Sequence, residues 1–159
     1  MARRPAAKKK TARKKSPARR AAPKRPAAAP KSSSTRRVIN SPSLFPPTVP
    51  LSNAVKVGNL VFVSGSTPFA PDGSIAKGDF GAQMRQVMEN IKVILKDAGS
   101  SLERVVKVNV ILIRISDFWA MNDIYKTYFR AGNYPARTTV EAPLAHPDFL
   151  LEIECVAEA

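Results

Sequence analysis

The sequence predicts an α+β fold in which two helices pack on one face of a mixed β-sheet. Residues 79–97 and 117–130 carry apolar side chains at the spacing of a single helix face. Five other segments are short and rich in β-branched residues, as strands are. The predicted order of elements is β-β-α-β-α-β-β, which is typical of a two-layer α+β domain, here spanning residues 53–159.

The domain begins with a predicted β-hairpin at residues 53–66. The runs "NAVKV" and "LVFVSG" are prone to form strands. The dipeptide "GN" between them suits a tight turn. We therefore expect strand, turn and strand in this segment.

The first predicted helix spans residues 79–97. Asp79 is a suitable N-cap, and Gly99 lies just past the end, where a left-handed residue can close the last turn. The apolar stripe of this helix consists of Phe80, Met84, Val87, Met88, Ile91, Ile94 and Leu95.

A long β-branched run, "VVKVNVILI", predicts a central strand at residues 105–113. The alternation of side chains along a strand predicts a shared face for Val106, Val108, Val110 and Leu112. This strand is expected to cross the middle of the sheet.

A second helix is predicted at residues 117–130, with Ser116 or Asp117 as its cap. The last two strands are "RTTVEA" and "LLEIECVAE", which the loop "PLAHPDF" separates. The apolar stripe of the second helix consists of Phe118, Met121, Tyr125, Tyr128 and Phe129.

The positive charge of the chain is concentrated in residues 1–37. They contain 15 of the 26 Lys and Arg residues and none of the 12 Asp and Glu residues, so the remainder has a net charge of −1. They also lack aromatic residues and cannot bury enough surface to offset the roughly 1–2 kcal/mol per residue that backbone ordering costs. We expect a disordered basic tail at residues 1–37, followed by a Pro-rich linker at residues 38–52.

Such a tail predicts salt-sensitive, sequence-independent binding to the phosphates of DNA or RNA. The composition of "KKKTARKKSPARR" resembles the basic tails of linker histones. A solvated extension and a transit peptide, which is also free of acidic residues, remain alternatives. The candidate phosphate-binding residues are Arg3, Arg4, Lys8, Lys9, Lys10, Arg13, Lys14, Lys15, Arg19 and Arg20.

Several other functions find little support in the sequence. A single cysteine, Cys155, excludes an internal disulfide framework, and a single histidine, His146, leaves no His/Cys cluster with metal-ligand spacing. No apolar run reaches the roughly 18 residues of a membrane-spanning helix. We expect no metal, no cofactor and no membrane partner, and a cytoplasmic protein that associates with a nucleoid or nucleus only through its tail.

The segment "PARTTVE", residues 135–141, places a permanent cation near the start of a predicted strand. A guanidinium group is a planar fork that pairs with a carboxylate through two charge-assisted hydrogen bonds, each worth about 1.5–3 kcal/mol. Arg137 could therefore anchor a small carboxylate ligand. Alternatively, it could form a structural ion pair with Glu141 or with a partner subunit.

Glu152 and Glu154 share one face of the last predicted strand, because they alternate with apolar residues. Such a pair usually lies on a solvated face. A glutamate across from a cationic anchor could instead hold a water molecule or transfer a proton.

Five stretches of the sequence resemble the RidA family of imine and enamine deaminases. They are "AVKVGNLVFVSGSTP", "QVMENIKVILKDAGSSLERVVKVNVIL", "FWAMNDIYKTYF", "PARTTVE" and "LLEIECVA". The resemblance spans residues 53–158 and implies the chorismate mutase-like fold of that family. It does not extend to residues 1–52.

The resemblance also implies roles for individual residues. Arg137 matches the arginine of the family's "PAR" motif, which binds the substrate carboxylate. Glu152 matches the glutamate implicated in handling the attacking water. The positions that match the family's substrate-binding residues are Ser64, Gly65, Asn122, Tyr125, Thr138 and Thr139.

Two positions depart from the pattern of many active deaminases. Leu51 stands where those relatives have the tyrosine of "GPY", and Ser66 stands where they have the glutamine of "SGQ". The expected pocket therefore lacks a phenolic hydroxyl, and substrate preference and rate are expected to differ from those relatives.

By this resemblance, the protein is expected to hydrolyse 2-imino acids of the 2-aminoacrylate type to 2-keto acids and ammonia, without a cofactor. The activity would be that of a 2-iminobutanoate/2-iminopropanoate deaminase-like hydrolase. Family members form trimers with pockets between subunits, so a homotrimer is expected. The alternative is a catalytically weak RidA-fold binding module or a ribonuclease-like protein that acts mainly through nucleic-acid association.

Overall fold

A six-stranded mixed sheet is the framework of the structure, a computed structural model that describes residues 35–159. In chain order the strands are β1 (Arg36–Ile39), β2 (Ala54–Val57), β3 (Leu60–Ser66), β4 (Val105–Leu112), β5 (Ala136–Glu141) and β6 (Leu151–Glu158). The helices are α1 (Phe80–Asp97) and α2 (Phe118–Tyr125). The strands lie in the order β1-β2-β3-β6-β4-β5, and β4 and β5 are parallel whereas all other neighbours are antiparallel. The predicted α+β class, with two helices on a mixed sheet, is confirmed.

The hydrophobic core lies between one face of the sheet and the two helices. Along β6, Leu151, Ile153 and Cys155 are buried, whereas Glu152 and Glu154 alternate with them and face the other side. Helix α1 packs on β3 and β6, and α2 packs on α1. The opposite face of the sheet is therefore left without a covering layer in the single chain.

Local signals in the sequence explain the β2–β3 hairpin and the start of α1. Val57 pairs with Leu60, so the turn has the two residues "GN", and Gly58 adopts a positive φ of 60° that other residues rarely adopt. The Asp79 side chain accepts a hydrogen bond from the Ala82 backbone N–H at 2.9 Å, which caps α1 as predicted.

Strand β1 is an addition to the predicted order of elements. It pairs antiparallel with β2, so the sheet includes residues assigned above to the basic tail (Arg36 and Arg37) and to the linker (Val38 and Ile39). The assignment of Arg36 and Arg37 to a disordered tail is therefore wrong. Three of the four residues of β1 are exposed, so this edge strand lacks the alternation that identifies a half-buried strand.

Two further predictions are wrong in detail. Val106 is 45 % exposed rather than buried, because a β-bulge between Val105 and Lys107 shifts the register of β4 against β6. Helix α2 ends at Tyr125 rather than at residue 130. After it, Thr127 and Tyr128 donate backbone hydrogen bonds three residues back, and the Thr127 hydroxyl also donates to the Ile124 carbonyl at 2.7 Å.

Within residues 35–159, no helix combines the length and the apolar character that crossing a bilayer requires.

Candidate functional site

Arg137 lies half-buried on β5, beneath helix α2. Its guanidinium carbon is 4.7 Å from the centre of the Tyr125 ring and 5.8 Å from that of Phe118. The Arg137 Nη2 donates to Asn122 Oδ1 at 2.6 Å, and Nη1 contacts Met121 Sδ at 3.6 Å. Two aromatic rings and one amide therefore hold the guanidinium in a fixed orientation.

Asn122 is itself fixed in an orientation that serves Arg137. Its amide Nδ2 donates to the Phe118 carbonyl one helical turn earlier at 2.8 Å, so its Oδ1 is left to accept from Arg137. The structure thus brings Asn122, Tyr125 and Arg137 together in one cluster of side chains.

Arg137 has no carboxylate within ion-pair distance among residues 35–159. Glu141, the structural partner that the sequence allows, accepts instead from the backbone N–H of Ile115 at 2.6 Å. Residues 1–34 contain no Asp or Glu that could neutralise the charge. A half-buried cation without a counter-ion is costly, so this position favours an anionic ligand.

Two hydroxyl groups near Arg137 are buried without a hydrogen-bond partner in the described part of the chain. They are Tyr125 Oη and Thr139 Oγ1, and Thr139 lies on the same face of β5 as Arg137. Burial raises the pKa of Tyr125 to about 12, so its hydroxyl remains a hydrogen-bond donor at neutral pH. Buried hydroxyls usually have partners, so a ligand or water is expected beside them.

A cavity of about 420 Å³ lies elsewhere on the chain and contains the second group of predicted residues. Glu152, Ser64 and Gly65 line it, together with Leu51 and Ser66, the two positions that depart from the deaminase pattern. Arg137 does not line this cavity. The remaining lining residues come mainly from the segment 44–53, from Thr67 and Phe69, from Asn90 and Ile94 of α1, and from the loop containing Ala145, His146 and Phe149.

Glu152 packs directly against Gly65. A Cβ atom on Gly65 would lie only 1.8 Å from Glu152 Oε1, so no larger residue fits at position 65 without moving the carboxylate. This close approach occurs where the register of β3 against β6 shifts between Val63 and Ser66. Burial, and then the negative charge of Glu154, raise the pKa of the Glu152 carboxyl group.

The predicted site residues therefore fall into two groups within one chain. The first comprises Arg137, Asn122, Tyr125 and Thr139, and the second comprises Glu152, Ser64 and Gly65. Ser64 is engaged locally, because its hydroxyl donates to the Ser52 carbonyl at 2.7 Å.

Thr138 belongs to neither group. It lies on the exposed face of β5, opposite to Arg137, and its hydroxyl accepts from Lys107 Nζ at 2.6 Å. The ten basic residues proposed for phosphate binding, Arg3 to Arg20, lie outside the described residues.

Sequence reasoning did not identify the aromatic part of the cavity. Phe45, Phe69, His146 and Phe149 form a contiguous set of rings, with centroids 4.8–6.1 Å apart. The only available signal was Phe45, an aromatic residue within the Pro-rich "SLFPP" segment.

Cys155 is buried and its pKa is raised to about 12, mainly by burial, so its thiol is not an activated nucleophile.

Comparisons with known proteins identify the family. Residues 42–159 match the model described as Endoribonuclease L-PSP. A RutC family protein of Pyrococcus abyssi is 47 % identical over 112 residues, covering 70 % of this chain and 87 % of the relative. The protein mmf2 of Schizosaccharomyces pombe, named as mitochondrial, is 45 % identical over 111 residues, covering 68 % of this chain and 86 % of that protein.

Solved structures show the same fold. The structure of RidA from an Antarctic Psychrobacter species superposes with a TM-score of 0.72 at 36 % identity, covering 77 % of this chain and 99 % of that one. The structure of yeast Mmf1 gives a TM-score of 0.73 at 32 % identity, covering 78 % of this chain and 98 % of that one. The family match begins at residue 42, so the homologous domain includes part of the segment predicted as a linker. The chain therefore belongs to the RidA family, whose model is described as Endoribonuclease L-PSP.

Proposed function

We propose that this protein hydrolyses 2-imino acids, and their enamine tautomers, to 2-keto acids and ammonia. The observation that carries the proposal is Arg137, a half-buried and oriented guanidinium without a carboxylate partner among the described residues. It suits the carboxylate of a small acid, because a guanidinium binds both carboxylate oxygens in parallel. Membership of a family that includes RidA proteins supports the same activity.

The proposed reaction uses Glu152 as the group that moves protons. Glu152 removes a proton from water as the oxygen adds to C2 of the protonated imine, giving a tetrahedral carbinolamine. Glu152 then gives this proton to the nitrogen, the C–N bond breaks, and ammonia leaves as the carbonyl forms and the hydroxyl proton returns to the Glu152 carboxylate. A raised pKa makes Glu152 a stronger base than an ordinary glutamate and brings it closer to the working pH.

We further propose that the complete site forms between two copies of the chain in a homotrimer. Arg137 and Glu152 belong to separate groups in one chain, so one copy would supply Arg137 and its neighbour the cavity with Glu152. The uncovered sheet face bears exposed apolar side chains, including Phe62 and Val140, which an assembly would remove from water. Ring closure by three-fold symmetry would place three such sites in one molecule.

An assay of ammonia and keto-acid release from 2-aminoacrylate tests the proposal. We expect Arg137→Ala to lower kcat/KM by roughly 10²–10⁴-fold, which corresponds to two lost charge-assisted hydrogen bonds. Arg130→Ala, which removes an exposed arginine outside the two groups, is the matched control and is expected to retain activity. Turnover at the background rate by the unaltered protein would refute the deaminase proposal.

Subunit mixing tests the shared site. Arg137→Ala and Glu152→Gln are each expected to be inactive alone. When the two variants are unfolded, mixed and refolded together, about a quarter of the interfaces in random trimers combine an intact Arg137 with an intact Glu152. Recovery of activity toward this level supports a site between copies, and a mixture that remains inactive contradicts it.

A second proposal concerns residues 1–37, whose 15 basic residues and lack of acidic ones favour binding to DNA or RNA.

The family description names an endoribonuclease, so RNA cleavage is the competing activity. RNA cleavage is therefore measured with the same protein and the same Arg137→Ala variant. RNA cleavage that Arg137→Ala abolishes, without imine hydrolysis, would favour the ribonuclease alternative. The cytoplasm is the proposed location of this protein, whereas the S. pombe relative mmf2 is named as mitochondrial.

A further inference from the structure

The inner wall of the 420 Å³ cavity is aromatic. Phe69 is the centre of this wall, 5.0 Å from the Phe45 ring and 5.2 Å from the Phe149 ring. His146 stacks on Phe149 with ring centroids 4.8 Å apart. Leu44, Val49, Leu51 and Ile94 extend the apolar lining around these rings.

Two buried amides hold the loops that carry this wall. Asn90 on α1 donates to the carbonyls of Thr67 and Phe69, at 3.0 and 2.9 Å. Gln83, on the same helix, donates to the Asp148 carbonyl at 2.8 Å and accepts from the Leu150 N–H at 2.9 Å. Both side chains are buried, so α1 fixes the backbone on either side of the rings.

Phe45 is fixed from the other side by a glycine. Gly73 has a φ of 82°, and a Cβ atom at this position would lie 2.6 Å from the Phe45 ring. The ring thus packs directly on the Gly73 backbone. A Pro-rich segment, "SLFPPTVP", forms the rim of the cavity and carries Phe45 into it.

The aromatic wall and Glu152 line the same cavity. A substrate whose reacting carbon lies beside Glu152 would therefore direct its side chain along the rings. The imine derived from alanine presents only a methyl group, which leaves most of a 420 Å³ space unfilled, whereas pockets of this size accommodate considerably larger ligands. An unfilled apolar cavity contributes little to binding.

We propose that Phe45, Phe69 and Phe149 form a side-chain subsite that selects 2-imino acids with a large apolar side chain, above all an aromatic one. This inference rests on the proposed deaminase function. A planar ring suits the wall because it can pack edge-to-face against the three phenyl groups, which stabilises aromatic pairs beyond the burial of apolar area. Leu51, in place of a tyrosine at the rim, keeps this part of the lining apolar.

The test compares two imines that one D-amino acid oxidase generates, 2-imino-3-phenylpropanoate from D-phenylalanine and 2-iminopropanoate from D-alanine. We expect kcat/KM to favour the aromatic imine by about 100-fold, because even one methylene group that fits an apolar pocket contributes about 10–200-fold. Phe45→Ala and Phe69→Ala are each expected to lower kcat/KM for the aromatic imine about 10–100-fold and to change that for 2-iminopropanoate less than about 3-fold.

Val38→Ala is the matched control, because it truncates an exposed apolar side chain on β1 that does not line the cavity. Calorimetric binding of phenylpyruvate and pyruvate provides a readout that does not require turnover. Tighter binding of phenylpyruvate that Phe45→Ala abolishes supports the subsite, even if neither imine is hydrolysed and the deaminase proposal fails. Equal kcat/KM for both imines, or equal losses for both in the phenylalanine variants, overturns the subsite while leaving the deaminase proposal intact.

Discussion

Glu152 and Glu154 show how two identical residues on one strand face come to differ. Glu154 is exposed and accepts from Asn109 Nδ2 at 2.6 Å. Glu152 lies against Gly65, and burial raises its pKa. The spacing of the two residues predicted a shared face but could not predict which carboxylate would be desolvated, because that depends on a neighbouring strand.

The raised pKa of Glu152 predicts a pH-dependent stability difference. Above the pKa of the folded state, the ionised carboxylate destabilises the fold because its burial is uncompensated. Protonation removes this cost as the pH falls, and the cost is absent below the unfolded value of 4.5. We therefore expect Glu152→Gln to unfold at higher urea concentration than the unaltered protein at pH 8, with a difference that vanishes near pH 4.

Glu154→Gln is the control for this measurement, since Glu154 is exposed and only the second cause of the Glu152 shift. The difference in urea stability between Glu154→Gln and the unaltered protein is expected to change less between pH 8 and pH 4 than the difference for Glu152→Gln. If Glu152→Gln were less stable than the unaltered protein at pH 8, the Glu152 carboxylate would have a stabilising partner that the described residues do not show.

At the scale of elements, the register shift in β3 positions Glu152. Ser64 and Gly65 lie where β3 gains a residue relative to β6, and the missing side chain of Gly65 accommodates the carboxylate. The sequence identified "SG" as a strand-end motif only by family resemblance, since glycine in a strand has several possible explanations. The structure supplies the physical one, a close approach of backbone and carboxylate.

Gly65→Ala is therefore expected to reduce activity without unfolding the domain. The new Cβ would displace Glu152 from its position, and a displacement of about 1 Å can reduce catalysis roughly 10²-fold. Steady-state kinetics with circular dichroism measure both effects. Gly81→Ala is the control, because the nearest atom to its Cβ would be the flexible end of Arg85 at 3.2 Å, and its other neighbours lie at ordinary contact distances. Unchanged kcat/KM in Gly65→Ala would mean that the Glu152 position does not matter for turnover.

At the scale of the whole molecule, most of the excess positive charge lies before the residues that form the sheet and helices. Residues 40–159 are close to neutral, and the 15 basic residues that give the chain its excess of positive charge precede or enter β1. Strand β1 fixes the boundary, because a deletion that removed residues 1–37 would also remove half of an edge strand. Truncation experiments should therefore end at residue 34.

Deletion of residues 1–34 is expected to abolish DNA binding and to leave imine hydrolysis unchanged. If the tail neutralises 6–10 phosphates, the affinity of the full chain for duplex DNA falls about 10³–10⁵-fold between roughly 50 and 200 mM salt. Fluorescence anisotropy of labelled DNA across this range measures the slope. Binding that persists in the truncated protein, or that does not depend on salt, would contradict phosphate neutralisation by the tail.

The sequence predicted the features that depend on local pattern and missed those that depend on distant contacts. The Gly58 turn and the Asp79 cap follow from residue type. The exposure of Val106 depends on a bulge, and the end of α2 depends on competition between hydrogen-bond patterns. Phe45, His146 and Phe149 come from two loops far apart in the chain, so no spacing rule could bring them together.

The two edge strands of the sheet carry different groups of basic residues. Strand β1, which continues from the basic residues, is one outermost strand, and β5, which bears Arg137, is the other. Arg36 and Arg37 of β1 are thus separated from Arg137 of β5 by four intervening strands. Within one chain, an anion at Arg137 therefore does not occupy the position of a polyanion at Arg36 and Arg37.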